Sequence, residues 1–360
     1  MIRTALTAGC LFIGATAASS HGQTASDFVS DASYVVGTYQ PTSRDHSPQA
    51  MASAANAFLE SLDDDLRQRA ALALDHQERR EWTNLPARAG AGGLRLGDCS
   101  DTQVKAFCDL MGTLFSEQGY HKMCSIMLAD DQLLRGGRPR PGFGTEEFSV
   151  VVFGKPSPNG PWAFQLDGHH VGVNLAIQGS KLTMSPSFIG TQPEAFHIAT
   201  KKYRPLAGEI DGAFQLVNSL DDAQRKQAIV KPKRGSIKTG PGNDANVPEP
   251  EGVSCATFSE TQKEMLLSLI EEWVNDLPPE QAEQRLRKLR NEIDQTFFAW
   301  QGPTIAVSDV SYTIQGPSLI IEYACQNLGG NPLDHLHTMY RDPTNEYGKQ
   351  IDTEEPGRDL

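Results

Sequence analysis

The chain has 360 residues, 39% of them hydrophobic, with a formal net charge of −13 and a pI near 5.2. That length accommodates one large domain or two small ones, and that apolar fraction builds a substantial core. The acidic balance lacks the basic face that nucleic acid selects and offers nothing to anionic lipid.

The N-terminus carries one positive charge at Arg3, runs through apolar and small residues from Ala5 to Ala18, and turns polar at Ser19. This is the layout of a secretory signal. Residues 1–22 are therefore expected to be a signal peptide removed on export, leaving an extracytoplasmic protein, periplasmic or secreted. The apolar run is too short to span a bilayer, and no other segment is apolar enough, so no membrane span is expected. Cys10 leaves with the signal, and Cys99, Cys108, Cys124, Cys255 and Cys325 remain. In an oxidising compartment some of these five can pair, in a pattern the spacing leaves open, and one at least stays unpaired within the chain. No Cys-x-x-Cys spacing occurs, and buried free thiols are the plainest fate for several.

Residues 23–46 are polar and turn-rich and read as a disordered lead-in. A single α+β domain is expected over 47–348, followed by an acidic tail at 349–360. From Ser47 to Trp82 the pattern is helical, with Phe58, Leu59, Leu62, Leu66 and Ala70 at three- and four-residue spacing. Ser100 or Asp101 caps a helix through Phe107, Leu110, Met111 and Leu114, and another helix covers Tyr120 to Leu134. Gly136 to Gly142 breaks it.

A β-region follows. Phe148 to Phe153 is valine-rich. Trp162, Phe164 and Leu166 alternate with polar or small residues, Asp167-Gly168 is a two-residue hairpin signal, and Val171, Val173, Leu175 and Ile177 alternate beyond it. A turn at Asp167-Gly168 pairs Leu166 with His169, Phe164 with Val171 and Trp162 with Val173, so the apolar faces coincide. Gly179-Ser180 turns the chain again and puts Leu182 and Met184 on that face. Pro205 to Leu220 reads as helix and 231–253 as an exposed loop. Helices resume at Ser259 to Asn275 and Pro279 to Phe298. A hairpin spans Val310 to Cys325, turning at Gly316-Pro317, and a last strand carries His335, His337, Met339 and Arg341 on one side. The fold class expected is α+β, a mainly antiparallel sheet built from hairpins and packed with several helices.

Four of the nine histidines fall in two short segments, His169-His170 and His335-Leu336-His337. On a strand His-x-His puts both imidazoles on one face. A third imidazole from a neighbouring strand makes a three-nitrogen metal site with an open position. Parity with Val171 and Val173 places His170 on the polar face with Gln165 and Asn174, and turns His169 toward the apolar face. The candidate metal ligands are thus His170, His335 and His337. Glu322 or Asp342 can serve as a third ligand or orienting carboxylate, and Arg341 can grip an anionic substrate group, so these three are the catalytic candidates. His169, Asp167 and Asn174 are secondary candidates. Imidazole ligands with export favour zinc or copper as the cofactor. The plain alternative is an exposed His-x-His pair, with His170 hydrogen-bonded to Asn174. No Gly-x-Ser-x-Gly elbow or phosphate-binding glycine motif occurs.

Several segments together resemble the DUF3500 family of mostly secreted bacterial proteins. They are Trp162 to His170, Pro186-Ser187-Phe188-Ile189-Gly190, Gln315-Gly316-Pro317 with Ile320-Ile321-Glu322, and the run from His335 through Arg341-Asp342-Pro343. The resemblance covers roughly Leu96 to Gly348 and implies a fold-level grouping rather than a reaction. Family members often carry Asp-Phe-Gly where this chain has Glu346-Tyr347-Gly348, and can continue into a further histidine-bearing segment, whereas this chain ends at Leu360. If that segment supplies a ligand or base, the site here is altered.

The function expected is a secreted, metal-dependent enzyme, hydrolytic or oxidative, acting on a small-molecule or polymer substrate. The alternatives are a non-catalytic exported metal- or carbohydrate-binding protein, and a metal-free hydrolase with His335 or His337 as base.

Overall fold

The computed structural model describes residues 23–86, 92–135, 140–243, 246–327 and 330–351. The predicted signal segment, the tail from residue 352 and parts of the glycine-rich stretches near 90 and 137 lie outside these. The described helices are α1 (Asp31–Thr38), α2 (Pro48–Glu60), α3 (Asp64–Ala70), α4 (Asp101–Leu114), α5 (Glu117–Gln132), α6 (Ala207–Ser219), α7 (Asp222–Ala228), α8 (Glu260–Val274) and α9 (Pro279–Asn291). The strands are β1 (Ala71–Leu72), β2 (Leu94–Arg95), β3 (Ser149–Gly154), β4 (Trp162–Gly168), β5 (Val171–Gln178), β6 (Lys181–Thr191), β7 (Phe196–Ile198), β8 (Lys201–Tyr203), β9 (Ile229–Lys231), β10 (Val253–Ser254), β11 (Phe297–Gln301), β12 (Ser311–Gly316), β13 (Leu319–Cys325) and β14 (Leu336–Arg341).

Twelve strands form one sheet in the order β1-β3-β4-β5-β6-β14-β13-β12-β11-β10, with β2 beside β3 and β9 beside β11; β7 and β8 pair separately. Among the described strands, only the pairs β1–β3 and β9–β11 are parallel. The fold is therefore α+β with a mostly antiparallel sheet, as the hairpin patterning implies. The β12–β13 hairpin turns after Gly316, which pairs with Leu319.

Alternation decides which side of each strand meets the helices. Phe164, Leu166, Val173, Leu175, Ile321, Tyr323, Leu336 and Tyr340 join one large core with the apolar sides of α4, α5, α6 and α8. Buried polar groups on that side are paired across the layers: Trp273 Nε1 donates to Thr338 Oγ1 at 3.2 Å, and the Tyr312 hydroxyl to the Glu209 carbonyl at 2.7 Å. Lys122 on α5 reaches Glu209 at 2.8 Å and Asp276 at 3.1 Å, so its buried ammonium is matched by carboxylates from α6 and from the turn after α8.

The opposite face of the sheet is covered by irregular chain. Trp82, Phe188, Met339 and Tyr347 form a second apolar cluster with Ile237 against it, and the Trp82 indole donates to the Tyr347 hydroxyl at 2.9 Å. Gly172 permits this cover, because a Cβ there would meet Trp82 Cε3 at 2.3 Å.

Three expectations are corrected. Residues 23–46 are not a loose lead-in throughout: Ser30 caps α1, which buries Ala32, Val35 and Val36. The helical pattern from Ser47 does not reach Trp82. Asp63 caps a new helix by accepting from Leu66 N, and beyond Ala70 the chain pairs in parallel with Val152 and Phe153. The last helix ends at Asn291, and Phe297 to Gln301 instead form β11, whose aromatic residues pair with β12. The loop expected over 231–253 is largely without regular structure, yet Thr239 within it is buried. Cys99, Cys108, Cys124, Cys255 and Cys325 are free thiols, and all but Cys99 are buried. No described helix is long and apolar enough to cross a membrane.

Candidate metal centre

The centre begins at the β4–β5 turn. Gly168 pairs with Val171 and Leu166 with Val173, so His169 and His170 themselves are the two-residue loop. The sequence signal Asp167-Gly168 misplaces the turn because Gly168 serves packing: a Cβ there would meet Phe148 Cδ1 at 2.5 Å. Moving the turn by two residues preserves the strand faces but lifts both histidines out of the alternation that separated them. His170 takes φ 71°, a conformation uncommon outside glycine, and is held there from both sides. Its N–H donates to the Asn84 carbonyl at 3.1 Å, and its carbonyl accepts from Gly190 N at 2.7 Å.

β14 lies beside β6, pairing His337 with Gly190. This brings the second histidine segment against the turn. His170 Nε2 is 2.8 Å from His335 Nε2, which is 3.0 Å from His337 Nε2. A neutral imidazole nitrogen carries either a hydrogen or a lone pair, so His335 Nε2 cannot satisfy two such neighbours by ordinary hydrogen bonds. One shared cation can. Nitrogens bound at 2.0–2.1 Å in a tetrahedron stand about 3.3 Å apart, within about 0.5 Å of both separations. His170 and His335 are buried. Burial, followed by the neighbouring imidazoles, holds His170 well below the usual imidazole range and His337 down at about 3. Both rings are therefore neutral at physiological pH, the form that ligates.

His169 does not point away, and this corrects the parity argument. Its ring centroid is 3.7 Å from that of His170. One ring nitrogen from each of His169, His170 and His335 lies within 4.8 Å of the others. His169 Nδ1 lies 2.5 Å from Asp130 Oδ1 on α5. The other carboxylate oxygen of Asp130 accepts from Gly144 N at 2.6 Å. A carboxylate on Nδ1 fixes the tautomer that leaves the His169 Nε2 lone pair free to bind or accept a proton. Phe143 packs edge-on against His169, with centroids 4.7 Å apart. Asp130 was not among the residues singled out from the sequence. The available signal was an acidic pair, Asp130-Asp131, on a helix turn that otherwise buries Ile126, Met127 and Leu128.

Asp131 turns the other way, accepting from Thr145 N at 2.8 Å and Thr145 Oγ1 at 3.0 Å. Burial pushes its carboxyl up to about 7. A folded-state value above the unfolded one means the native state holds the extra proton, so stability falls as pH rises from about 4 through 7. Asp131→Asn should remove a pH-dependent difference of about 3–4 kcal/mol between those limits. Urea melts of both proteins at pH 4.5 and 7.5 measure it, and parallel pH profiles would refute the assignment.

Gly190 is the other residue the histidines require. A Cβ there would lie 2.6 Å from the Leu336 carbonyl oxygen, 2.8 Å from His170 Cδ2 and 3.0 Å from His337 Cδ2. Gly190→Ala is expected to spread the two rings and weaken zinc or copper binding at least tenfold, with the sheet retained. Calorimetric titration checks the affinity; unchanged binding would show that the rings need no such approach.

The remaining candidates are not brought to the histidines. Glu322 accepts from Lys238 N and Thr239 N, both at 2.9 Å, and from Thr239 Oγ1. Arg341 pairs with Glu346 and donates to the Asn246 carbonyl at 2.8 Å. Asp342 pairs with Arg285 at 3.0 Å and accepts from Thr344 N and Oγ1. Glu322 and Arg341 share a sheet face with His337, but they fasten the irregular cover rather than face a substrate. Asn174 sits at a register shift between β5 and β6, accepting from Gln165 Nε2 at 2.8 Å and donating to the Pro186 carbonyl at 3.0 Å. That role satisfies a bulge. Asp167 bonds the backbone of Thr83, and burial holds its carboxyl well above the usual range. Its Oδ1 has no hydrogen-bond partner among the described residues.

A family model described as "Protein of unknown function (DUF3500)" matches residues 44–349. No curated protein and no solved structure matches the chain.

Proposed function

From the premise that this chain belongs to the DUF3500 family, we propose that it is an exported metal-dependent hydrolase. It holds one zinc or copper ion on His170, His335 and His337, and His169 acts beside that ion as base. The observation that carries the reading is His335 Nε2 lying 2.8 Å from one imidazole nitrogen and 3.0 Å from another. Three imidazole nitrogens without a thiolate suit zinc and copper equally. The ion supplies Lewis-acid activation of water and of the bond to be cleaved.

The chain's own residues do the rest. Asp130 orients His169 and stabilises the charge it gains on taking a proton. Phe143 and Phe188 flank the imidazoles with apolar surface, which strengthens electrostatic interactions there. A base favours hydrolysis over simple metal storage or electron transfer, neither of which needs one. A second reading, a closed four-nitrogen site, rests on the His169 ring nitrogen lying within 4.8 Å of the other two.

The test is metal analysis of the purified chain from zinc- and copper-supplemented culture, followed by assays on ester, amide and phosphoester substrates. One bound equivalent and turnover are expected, with His169→Gln keeping the metal and losing turnover. A chain that neither retains nor takes up either metal ends the proposal. Loss of metal from His169→Gln favours the closed site, and metal without turnover favours a binding protein.

A further inference from the structure

One sizeable cavity lies away from the histidines. A cleft of about 560 Å³ lies on the helix side of the sheet, between α6 and the ends of β13 and β14. Ile210 and Phe214 of α6 form one wall, and Tyr323, Cys325 and Leu336 the other. Period-two alternation separates it from the metal centre: Leu336 faces the cleft, so His335 and His337 project to the other side. Its size and apolar lining are those of a small-molecule site.

Two further observations bear on the occupant. The loop over 302–309 borders the cleft through Ala306, Val307 and Ser308. It presents Ile305 and Val307 at 76% and 80% exposure, the highest of the exposed large hydrophobic residues described. Val307 also takes φ 60°, a conformation costly for a β-branched side chain. The loop is nevertheless tied down. Trp300 Nε1 donates to the carbonyls of Gly302 and Pro303, both at 3.2 Å, and Asn218 Nδ2 to the Thr304 carbonyl at 2.9 Å. An anchored loop that holds apolar side chains outward at the lip of an apolar cleft is preorganised to cover an apolar guest. The polar rim decides its charge. Among the described residues, Arg204 is the only cation lining the cleft, and it is spent on Glu194 at 2.6 Å and Asp211 at 2.9 Å. An anionic head group would meet a surplus carboxylate.

We propose that this cleft binds an uncharged, largely hydrocarbon small molecule, independently of the metal centre. The probe is N-phenyl-1-naphthylamine, whose fluorescence rises in apolar surroundings, titrated into the full chain. Saturable one-to-one binding is expected, displaced by 1-decanol and not by decanoate. Gln215→Trp and Ser308→Trp, two positions on the cleft wall, should each weaken binding at least tenfold. Arg287→Trp, on the exposed side of α9, should leave it unchanged. Thermal melts establish that each variant is folded, and the two cleft variants serve as alternates for one another. Absence of saturable binding, equal affinity in the folded cleft variants, or displacement by decanoate as readily as by decanol overturns the proposal. So does a dimer in sedimentation that Val307→Asp dissociates, since a second copy would then be the occupant.

Discussion

His335→Ala is expected to lower zinc or copper affinity by more than about a hundredfold, because even residues that only orient a ligand are worth ten- to a hundredfold. His335 Nε2 is the nitrogen that both His170 and His337 approach, so its removal leaves two imidazoles with no common vertex. The metal-free protein should fold as before, since the turn is held by backbone bonds from Asn84 and Gly190 rather than by this ring. The contrast appears in thermal unfolding with and without metal. At a free metal concentration one hundred times its dissociation constant, the unaltered chain gains about 2.7 kcal/mol, and the variant nearly nothing. Equal metal-induced shifts in both proteins would remove the basis for the centre.

Arg341→Ala is expected to destabilise the fold by about 3–5 kcal/mol, the usual cost of leaving one partner of a buried ion pair alone. Arg341 is 1% exposed and Glu346 2%. The guanidinium also reaches carbonyls at Asn243 and Asn246, so one side chain gathers the 237–251 segment and the C-terminal turn onto the sheet. Pairing Arg341→Met with Glu346→Gln should recover much of the loss, because no unpaired charge then remains. Equilibrium urea unfolding reads both effects. A loss below about 1 kcal/mol in the single variant would place Arg341 among surface ion pairs and contradict its burial.

The faces of β4, β5, β13 and β14 are legible because Val171, Val173 and Leu175, or Ile321 and Tyr323, alternate with small or polar residues, and a period of two survives any even error in the turn. The turn itself is not legible. Asp167-Gly168 is a strong local signal, and only the distant ring of Phe148 explains why Gly168 stands there. The convergence of His170, His335 and His337 follows from adjacency of β6 and β14, which no spacing announces. Asp130 lies on a helix 39 residues before its partner, out of reach of any motif. Alternation alone gives the sheet face of Glu322 and Arg341, but which chain covers that face depends on segments without periodicity. Their carboxylate and guanidinium therefore read equally well as chemistry or as fastening.

The position of β14 has a temporal consequence. The sheet consists of one meander made early in synthesis, β3 to β6, and one made later, β11 to β13. The last strand inserts between them as the seam, pairing Thr338 with Ile189 on one side and with Tyr323 on the other. Until it emerges from the ribosome, both inner edges present unpaired backbone, the state most open to misassociation. Two of the four imidazoles ride on this closing segment. On the proposed reading, a nascent or prematurely terminated chain lacks two of the three ligands until its halves are joined, and metal loading would report completed assembly.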